Sequence, residues 1–233
     1  MNLFTELKSH LDSHVKGVKL LQPLLFQGIP GLRFDLQAPL LDTNDDAYFI
    51  EVVKRMDKIH SITTSESDSI MLFYQKYTYK RRKIRKANYL FKQLNRSSAI
   101  IQYKRKRTDL YGDNVAPSDG HCEVVIKDTA CNINFHNLYV ATGNMDFGRI
   151  PFLTARAGEL YIVNLSRNTV TIMYDDRGCD IISLDTDLLS VYYKELSDLI
   201  LEVNRPQIIE NLQIKALMHL NKTYPNLINN SLI

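Results

Sequence analysis

The chain has 233 residues, of which 45% are hydrophobic and 24% are charged, and its formal net charge is +3. This composition is typical of a globular protein with enough apolar material for a core. No stretch approaches the roughly 18 uninterrupted apolar residues of a membrane helix, and the charged N-terminus does not resemble a signal peptide, so we expect a cytoplasmic protein that does not enter a membrane.

The three cysteines are Cys122, Cys131 and Cys179. An odd number at wide spacing supports neither a disulfide framework nor a C-x-x-C metal or redox pair. We therefore expect three buried or half-buried free thiols, and the sequence predicts neither a cofactor nor a metal.

The first third of the chain predicts two helices and two strands. Apolar residues at helical spacing predict a helix over residues 2–18 that ends near Gly17, and a second one follows an N-cap at Asn44 or Asp45. Alternation over residues 31–36 predicts a half-buried strand. Residues 69–79 predict a strand that is buried on both faces at its start.

The remaining elements alternate irregularly between the two types. We predict helices over residues 80–94, 133–145, 185–203 and 208–220, strands over 99–106 and 121–127, a hairpin of 159–164 with 169–174, a further strand over 179–183, and a loop over 109–120. This order predicts an α+β fold in which amphipathic helices cover an antiparallel or mixed sheet. We expect a single main domain over residues 1–205 and a helical extension with a tail over 206–233.

The positive charge is concentrated in the middle of the chain. No acidic residue lies between Asp68 and Asp109, whereas this stretch has 13 of the 29 basic residues. The rest of the chain contains the other 16 basic residues and all 26 acidic residues, so its net charge is −10. A predicted partner-binding surface consists of Arg81, Arg82, Lys83, Arg85, Lys86, Lys104, Arg105, Lys106 and Arg107.

Three explanations of this charge remain open. Like charges four residues apart near a helix N-terminus destabilise the helix, and a nearby anion would relieve that cost. The anion is a carboxylate of the same molecule, an acidic protein partner, or a nucleic acid. Nucleic acid would also use the interleaved aromatic rings as stacking platforms. Those rings are Tyr74, Tyr77, Tyr79, Tyr89 and Tyr103.

Two short strings have the residue types of an active site. YDDRGCDII, residues 174–182, could hold a divalent cation or provide an acid and a base through Asp175, Asp176 and Asp180, with Arg177 binding an anionic substrate. We favour a hairpin turn in which Gly178 has a positive φ and a carboxylate holds Arg177.

MDFGRIP, residues 145–151, has the letters of a kinase metal-binding motif. The other kinase motifs are absent from the sequence. We predict a turn in which Gly148 adopts an unusual dihedral angle and Arg149 pairs with Asp146.

Histidines supply two further patterns. His10 and His14 have the spacing of two zinc ligands, but no third ligand is evident, and we interpret them as a surface pair. His121, Cys122 and His136 could combine a thiol nucleophile with a base, although nothing in the sequence fixes their geometry.

GLRFDL, RRKI, DFGRIP, YIVN and YDDRGCDII, in this order and followed by an amphipathic helix, resemble a bacterial domain-of-unknown-function family over residues 25–205. The resemblance implies no established activity. Its motif residues, which we expect to be mainly structural, are Arg33, Asp35, Asp146, Arg149, Asp175, Asp176, Arg177, Gly178 and Asp180.

By analogy, small proteins of this profile are often immunity proteins that block a toxin domain. We therefore expect a non-enzymatic binding protein that engages an acidic protein partner through its basic surface. The alternatives are a nucleic-acid-binding protein that uses the same surface and a metal-dependent enzyme at the YDDRGCD string.

Overall fold

The computed structural model describes residues 2–25, 27–78, 84, 88–95, 97–106, 120–153 and 158–212. Within these residues the chain forms a seven-stranded antiparallel sheet with helices on both faces. This architecture confirms the predicted α+β class.

The strands are β1 (Gly31–Asp35), β2 (Ser69–Thr78), β3 (Ile100–Lys106), β4 (Gly120–Thr129), β5 (Gly158–Asn164), β6 (Thr169–Met173) and β7 (Gly178–Ser183). Their order across the sheet is β1-β7-β6-β5-β2-β4-β3, so β1 and β3 form its two edges. The predicted hairpin is the β5–β6 pair, and β7 continues it after a short turn.

The helices are α1 (Leu3–His14), α2 (Asp46–Thr63), α3 (Phe135–Gly143) and α4 (Thr186–Glu195). In the described ranges, five 3₁₀-helices occupy Tyr89–Gln93, Ala130–Asn132, Met145–Phe147, Ser197–Leu199 and Glu202–Asn204, and residues 205–212 are helical. No helix in the described ranges is long and apolar enough to cross a membrane.

Alternation along β2 divides the hydrophobic core into two layers. Leu72 and Tyr74 are fully buried against the side covered by α2, α3 and α4. Met71 and Phe73 point to the other face and pack with α1. A strand at the centre of a sheet that is covered on both faces must be apolar on both, which explains the continuous apolar run at the start of β2.

Two predicted helices differ from the structure, one in its type and one in its length. Residues 89–93 form a 3₁₀-helix that Asn88 caps, and Leu94 pairs with Ile133 as an isolated bridge. The rest of the predicted helix over 80–94 lies mostly outside the described residues. The helix predicted over 185–203 ends at Glu195, since Ile200 leaves the helical path to pair with the backbone of Phe34.

The cysteine prediction is partly confirmed. Cys122 and Cys179 are buried, whereas Cys131 is exposed. All three are free thiols.

Candidate functional site

Arg33 and Asp180 form a buried ion pair between β1 and β7. They are direct cross-strand partners. Arg33 Nε donates to Asp180 Oδ1 and a terminal nitrogen donates to Oδ2, both at 2.7 Å. The hydrogen bond to Asp180 raises the pKa of Arg33, and the Leu25 amide also donates to the carboxylate at 3.3 Å. Such bidentate geometry satisfies both charges and anchors the edge strand.

Asp175 holds the turn between β6 and β7. Its carboxylate accepts from the backbone N–H and from Nε of Arg177, both at 2.8 Å. These bonds raise the pKa of Arg177, whose side chain is otherwise mostly exposed. The prediction that a carboxylate holds Arg177 is confirmed.

Asp176 is buried beneath α2 and binds a tyrosine. The Tyr48 hydroxyl donates to Asp176 Oδ2 at 2.6 Å, and both side chains are buried. Burial raises the pKa of Asp176 above its usual range, and burial together with this hydrogen bond raises the pKa of Tyr48. The contact ties the β6–β7 turn to the first turn of α2.

The prediction of a positive φ at Gly178 is wrong. Its φ is not positive, in contrast to Gly148, which has the expected unusual dihedral with a φ of +64°. Gly178 is instead required for space, because a Cβ there would lie 2.6 Å from the carbonyl oxygen of Phe34 and would clash with the Tyr174 hydroxyl. The neighbouring strand and ring therefore approach the backbone too closely for any side chain.

The predicted pairing of Arg149 with Asp146 is wrong. Arg149 instead pairs with Asp46 in the first turn of α2, and its guanidinium lies 4.2 Å from the centre of the Phe49 ring. Asp146 acts electrostatically on Arg177. Since the Met145–Phe147 turn lies against α2, Arg149 reaches a partner that is remote in sequence.

The motif residues thus lie near one edge of the sheet, where β1, the β6–β7 turn and the start of α2 come together. The Arg33–Asp180 pair is on the face that packs with α1, because the neighbours of both residues in their strands belong to the layer covered by α2. Asp35 is in register with Gly178 and accepts from the Gln37 amide at 2.9 Å. Sequence reasoning missed Tyr48 and Asp46, because their role depends on how α2 docks. The described part of the chain contains no group of three or more His, Cys, Asp or Glu residues that could hold a metal ion.

The histidine patterns do not form a catalytic group. His10 and His14 stack with ring centres 4.4 Å apart. His121 and Cys122 are consecutive in β4 and so face opposite sides of the sheet, while His136 on α3 pairs with Asp57 at 2.7 Å.

The basic surface begins at one end of the sheet. β2 and β3 both pair antiparallel with β4, so they run in the same direction and end at the same side. Lys76 and Arg105 flank Cys122 in register. Of the predicted surface, Arg81, Arg82, Lys83, Arg85, Lys86 and Arg107 lie outside the described residues, and Lys106 is described only as strand backbone.

The cations described at this end have no carboxylate partner within the described ranges. Lys104 and Arg105 are exposed, and the Lys104 ammonium lies 5.6 Å from the centre of the Phe4 ring. Glu123 faces Lys104 in register, but its buried carboxylate contacts Nε2 of His121 at 3.2 Å. Lys76 is half-buried, and burial lowers its pKa. Among the described residues, the exposed charges of Lys104 and Arg105 are therefore not neutralised by an ion pair.

A cleft of about 390 Å³ lies beside Lys104, between α1 and the sheet. Its walls include Phe4 and Leu7, and Gln75 and Glu123 form part of its floor. Lys104 thus has an apolar ring on one side and a polar floor on the other. The cleft can receive a side chain of a molecule bound at this end of the sheet.

The interleaved tyrosines separate into different environments. Tyr74 is buried in the core and donates to the Leu153 carbonyl at 3.3 Å, so it cannot stack with a base. Tyr103 is 49% exposed and lies on the same strand as Lys104 and Arg105. Tyr89 is half-buried. Tyr79 and the side chain of Tyr77 lie outside the part of the chain that the structure describes.

Comparisons with known proteins give a family and no activity. No curated protein and no solved structure matches this chain. A family model described as a domain of unknown function, DUF3885, matches residues 7–204, which include all nine motif residues and both edges of the sheet. The chain therefore belongs to the DUF3885 family.

Proposed function

We propose that this protein is a non-enzymatic, cytoplasmic binding protein of bacteria that engages an acidic protein partner through the basic end of its sheet. The observation that supports this most directly is the exposure of Lys104 and Arg105 without carboxylate partners among the described residues. Both lie at the end of the sheet from which the two most basic parts of the sequence continue. Uncompensated surface charge of one sign accelerates association with a partner of the opposite sign.

The motif residues give no comparable support for catalysis. Asp175, Asp176 and Asp180 each bind a group of the same molecule, and a buried carboxylate that is already hydrogen-bonded holds the fold together. A toxin domain with an acidic face is the partner class that an immunity role requires. By that analogy the basic end would dock onto the toxin.

Charge reversal at the basic end tests this proposal. Proteins captured by the wild-type chain from its native host are compared, by quantitative mass spectrometry, with those captured by Arg105→Glu and by Arg82→Glu/Arg85→Glu. We expect both variants to fold normally and to lower the association rate constant for the captured partner by about tenfold at low salt. Lys194→Glu, at an exposed position on α4, is the matched control and should bind like the wild type.

Unchanged association of both basic-end variants would contradict the proposal. A loss that is equally large for Lys194→Glu would show that net charge, and not this surface, determines binding. Either result would remove the basic end of the sheet as the binding site.

Nucleic acid is a second candidate because Tyr103 is exposed beside Lys104 and Arg105. An exposed ring next to cations is the arrangement that stacks a single-stranded base. This candidate predicts that any oligonucleotide binds, with the logarithm of the binding constant falling by about 0.7 per phosphate per tenfold rise in salt. Failure to bind heparin at low salt would exclude it.

A further inference from the structure

The two edge strands of the sheet differ in whether their outer side is paired. The outer side of β1 is covered, because Phe34 forms a bridge with Ile200 and the Leu201 amide donates to the Arg33 carbonyl at 3.0 Å. Within the described ranges, the outer side of β3 has no backbone hydrogen-bond partner. Among the described residues, β3 therefore presents an unpaired row of backbone donors and acceptors with which another strand can pair.

Only the C-terminal half of β3 has a usual protection of an open edge, which is its run of basic side chains. The strand has seven residues and no proline or bulge, and Ile100, Ile101 and Tyr103 are 59%, 37% and 49% exposed. Lys104, Arg105 and Lys106 form its C-terminal half, and Lys104 and Arg105 point to opposite faces. An unpaired edge with exposed apolar residues is a template with which another strand can pair.

We propose that an extended acidic segment of the partner pairs with the outer edge of β3 and extends the sheet. This inference deepens the proposed function and rests on it. Successive residues of a strand point to opposite faces, so two adjacent carboxylates of the segment would meet Lys104 on one face and Arg105 on the other. Apolar residues further along the segment would meet Ile101 and Tyr103.

A second copy of the chain fits this edge less well. An antiparallel β3–β3 pair centred on Tyr103 places Lys104 opposite Gln102 and Arg105 opposite Ile101. It therefore brings no carboxylate to either cation. A parallel pair would set like charges side by side, which destabilises a sheet. An acidic segment of another protein satisfies both the backbone and the charges.

A peptide probe separates backbone pairing from simple charge attraction. The probe is a fluorescein-labelled Glu-Glu-Glu-Val-Thr-Val-Thr, which matches β3 in length and places its carboxylates opposite the basic half in the antiparallel direction. Two further versions have N-methyl groups on alternate residues, one on the odd and one on the even positions. Each version blocks the hydrogen-bonding groups along one side of the bound strand only.

We expect the unmodified peptide to bind the full-length protein at low salt, by fluorescence anisotropy. One N-methylated version should bind at least about tenfold more weakly, since it loses several backbone hydrogen bonds, and the other should bind nearly as well as the unmodified peptide. Hydrogen exchange of the β3 amides should slow when the peptide is bound. Lys-Lys-Lys-Val-Thr-Val-Thr is the charge-reversed control and should not bind.

The outcomes distinguish this inference from the proposed function. Equal binding of both N-methylated versions, with unchanged β3 amide exchange, would overturn strand addition and leave acidic recognition intact. Binding of poly-glutamate without binding of the peptide would do the same. If neither the peptide nor poly-glutamate binds at low salt, the proposed function itself fails.

Discussion

Loss of the Tyr48 hydroxyl should destabilise the fold, because it removes a hydrogen bond from the buried carboxylate of Asp176. This hydroxyl donates to Asp176 at 2.6 Å, and the two residues are only 2% and 4% exposed. A hydrogen bond to a charged group contributes about 1.5–3 kcal/mol, so Tyr48→Phe should lower the free energy of unfolding by about that amount. For a chain of this size, the melting temperature should then fall by roughly 3–12 °C.

Asp176→Asn provides the informative background. An asparagine oxygen can still accept from Tyr48 and has no charge to desolvate, so the single variant should cost less than about 1 kcal/mol. In this background Tyr48→Phe should cost only about 0.5–1.5 kcal/mol, because the bond it removes is neutral. Chemical denaturation of all four proteins measures the coupling. Tyr103→Phe, at an exposed ring, is the control and should change stability by less than about 0.5 kcal/mol.

The pH dependence supplies an independent check. Burial raises the pKa of Asp176, so the folded protein holds this proton more tightly than the unfolded chain. The group therefore adds stability below the ordinary aspartate pKa of about 3.9, and this contribution is lost as the pH rises through the raised value. Asp176→Asn should remove that loss. Equal cost of Tyr48→Phe in both backgrounds, with no change in pH dependence, would refute the reasoning.

Three further perturbations test the other contacts. Asp180→Ala should cost about 3–5 kcal/mol in urea denaturation, because it removes the carboxylate that accepts two hydrogen bonds from the largely buried guanidinium of Arg33. Gly178→Ala should cost about 1–3 kcal/mol by overpacking against fixed backbone, and more than Gly148→Ala, where a Cβ meets open space and only the positive φ is strained. Calorimetric titration with Mg²⁺ should show no saturable uptake, whereas stoichiometric binding lost in Asp175→Asn would establish a metal site.

Local pattern predicted most of the secondary structure. The alternation in residues 31–36 and 99–106 became β1 and β3, and the Asp185 cap begins α4 by accepting from the Leu188 amide at 2.9 Å. These signals depend on neighbouring residues alone, so the sequence contains them in full. The segment at 89–93 departs from its helical pattern because Leu90 is drawn fully into the core beside α3.

The partners of the charged residues could not be predicted. Arg149 pairs with Asp46 and Asp176 with Tyr48, across 103 and 128 residues respectively, and both contacts depend on the position of α2. For Arg149, proximity in the sequence favoured Asp146 as the partner.

The polar row across the sheet, which joins Glu159, Gln75, Glu123 and Lys104 in register, likewise requires the order of four strands. Gln75 donates to Glu159 at 2.6 Å across a gap of 84 residues. Register of this kind follows from tertiary packing and not from local pattern.

Stability and binding should be separable in this protein, because the two groups of charges lie toward opposite edges of one sheet. Asp180 on β7 and Arg105 on β3 are five strand spacings apart, or about 24 Å at 4.8 Å per strand. That distance exceeds both the range over which mutations couple and the screening length of about 8–10 Å in physiological salt.

Asp180→Asn should therefore lower the free energy of unfolding while leaving the association rate of the partner unchanged in conditions where the variant is folded. Arg105→Glu should do the reverse, and the double variant should show the sum of both effects. Calorimetry and association kinetics on the four proteins measure the two quantities separately. If Asp180→Asn slowed association by the same factor as Arg105→Glu, the motif residues would belong to the binding surface, and the separation of a structural edge from a binding edge would be wrong.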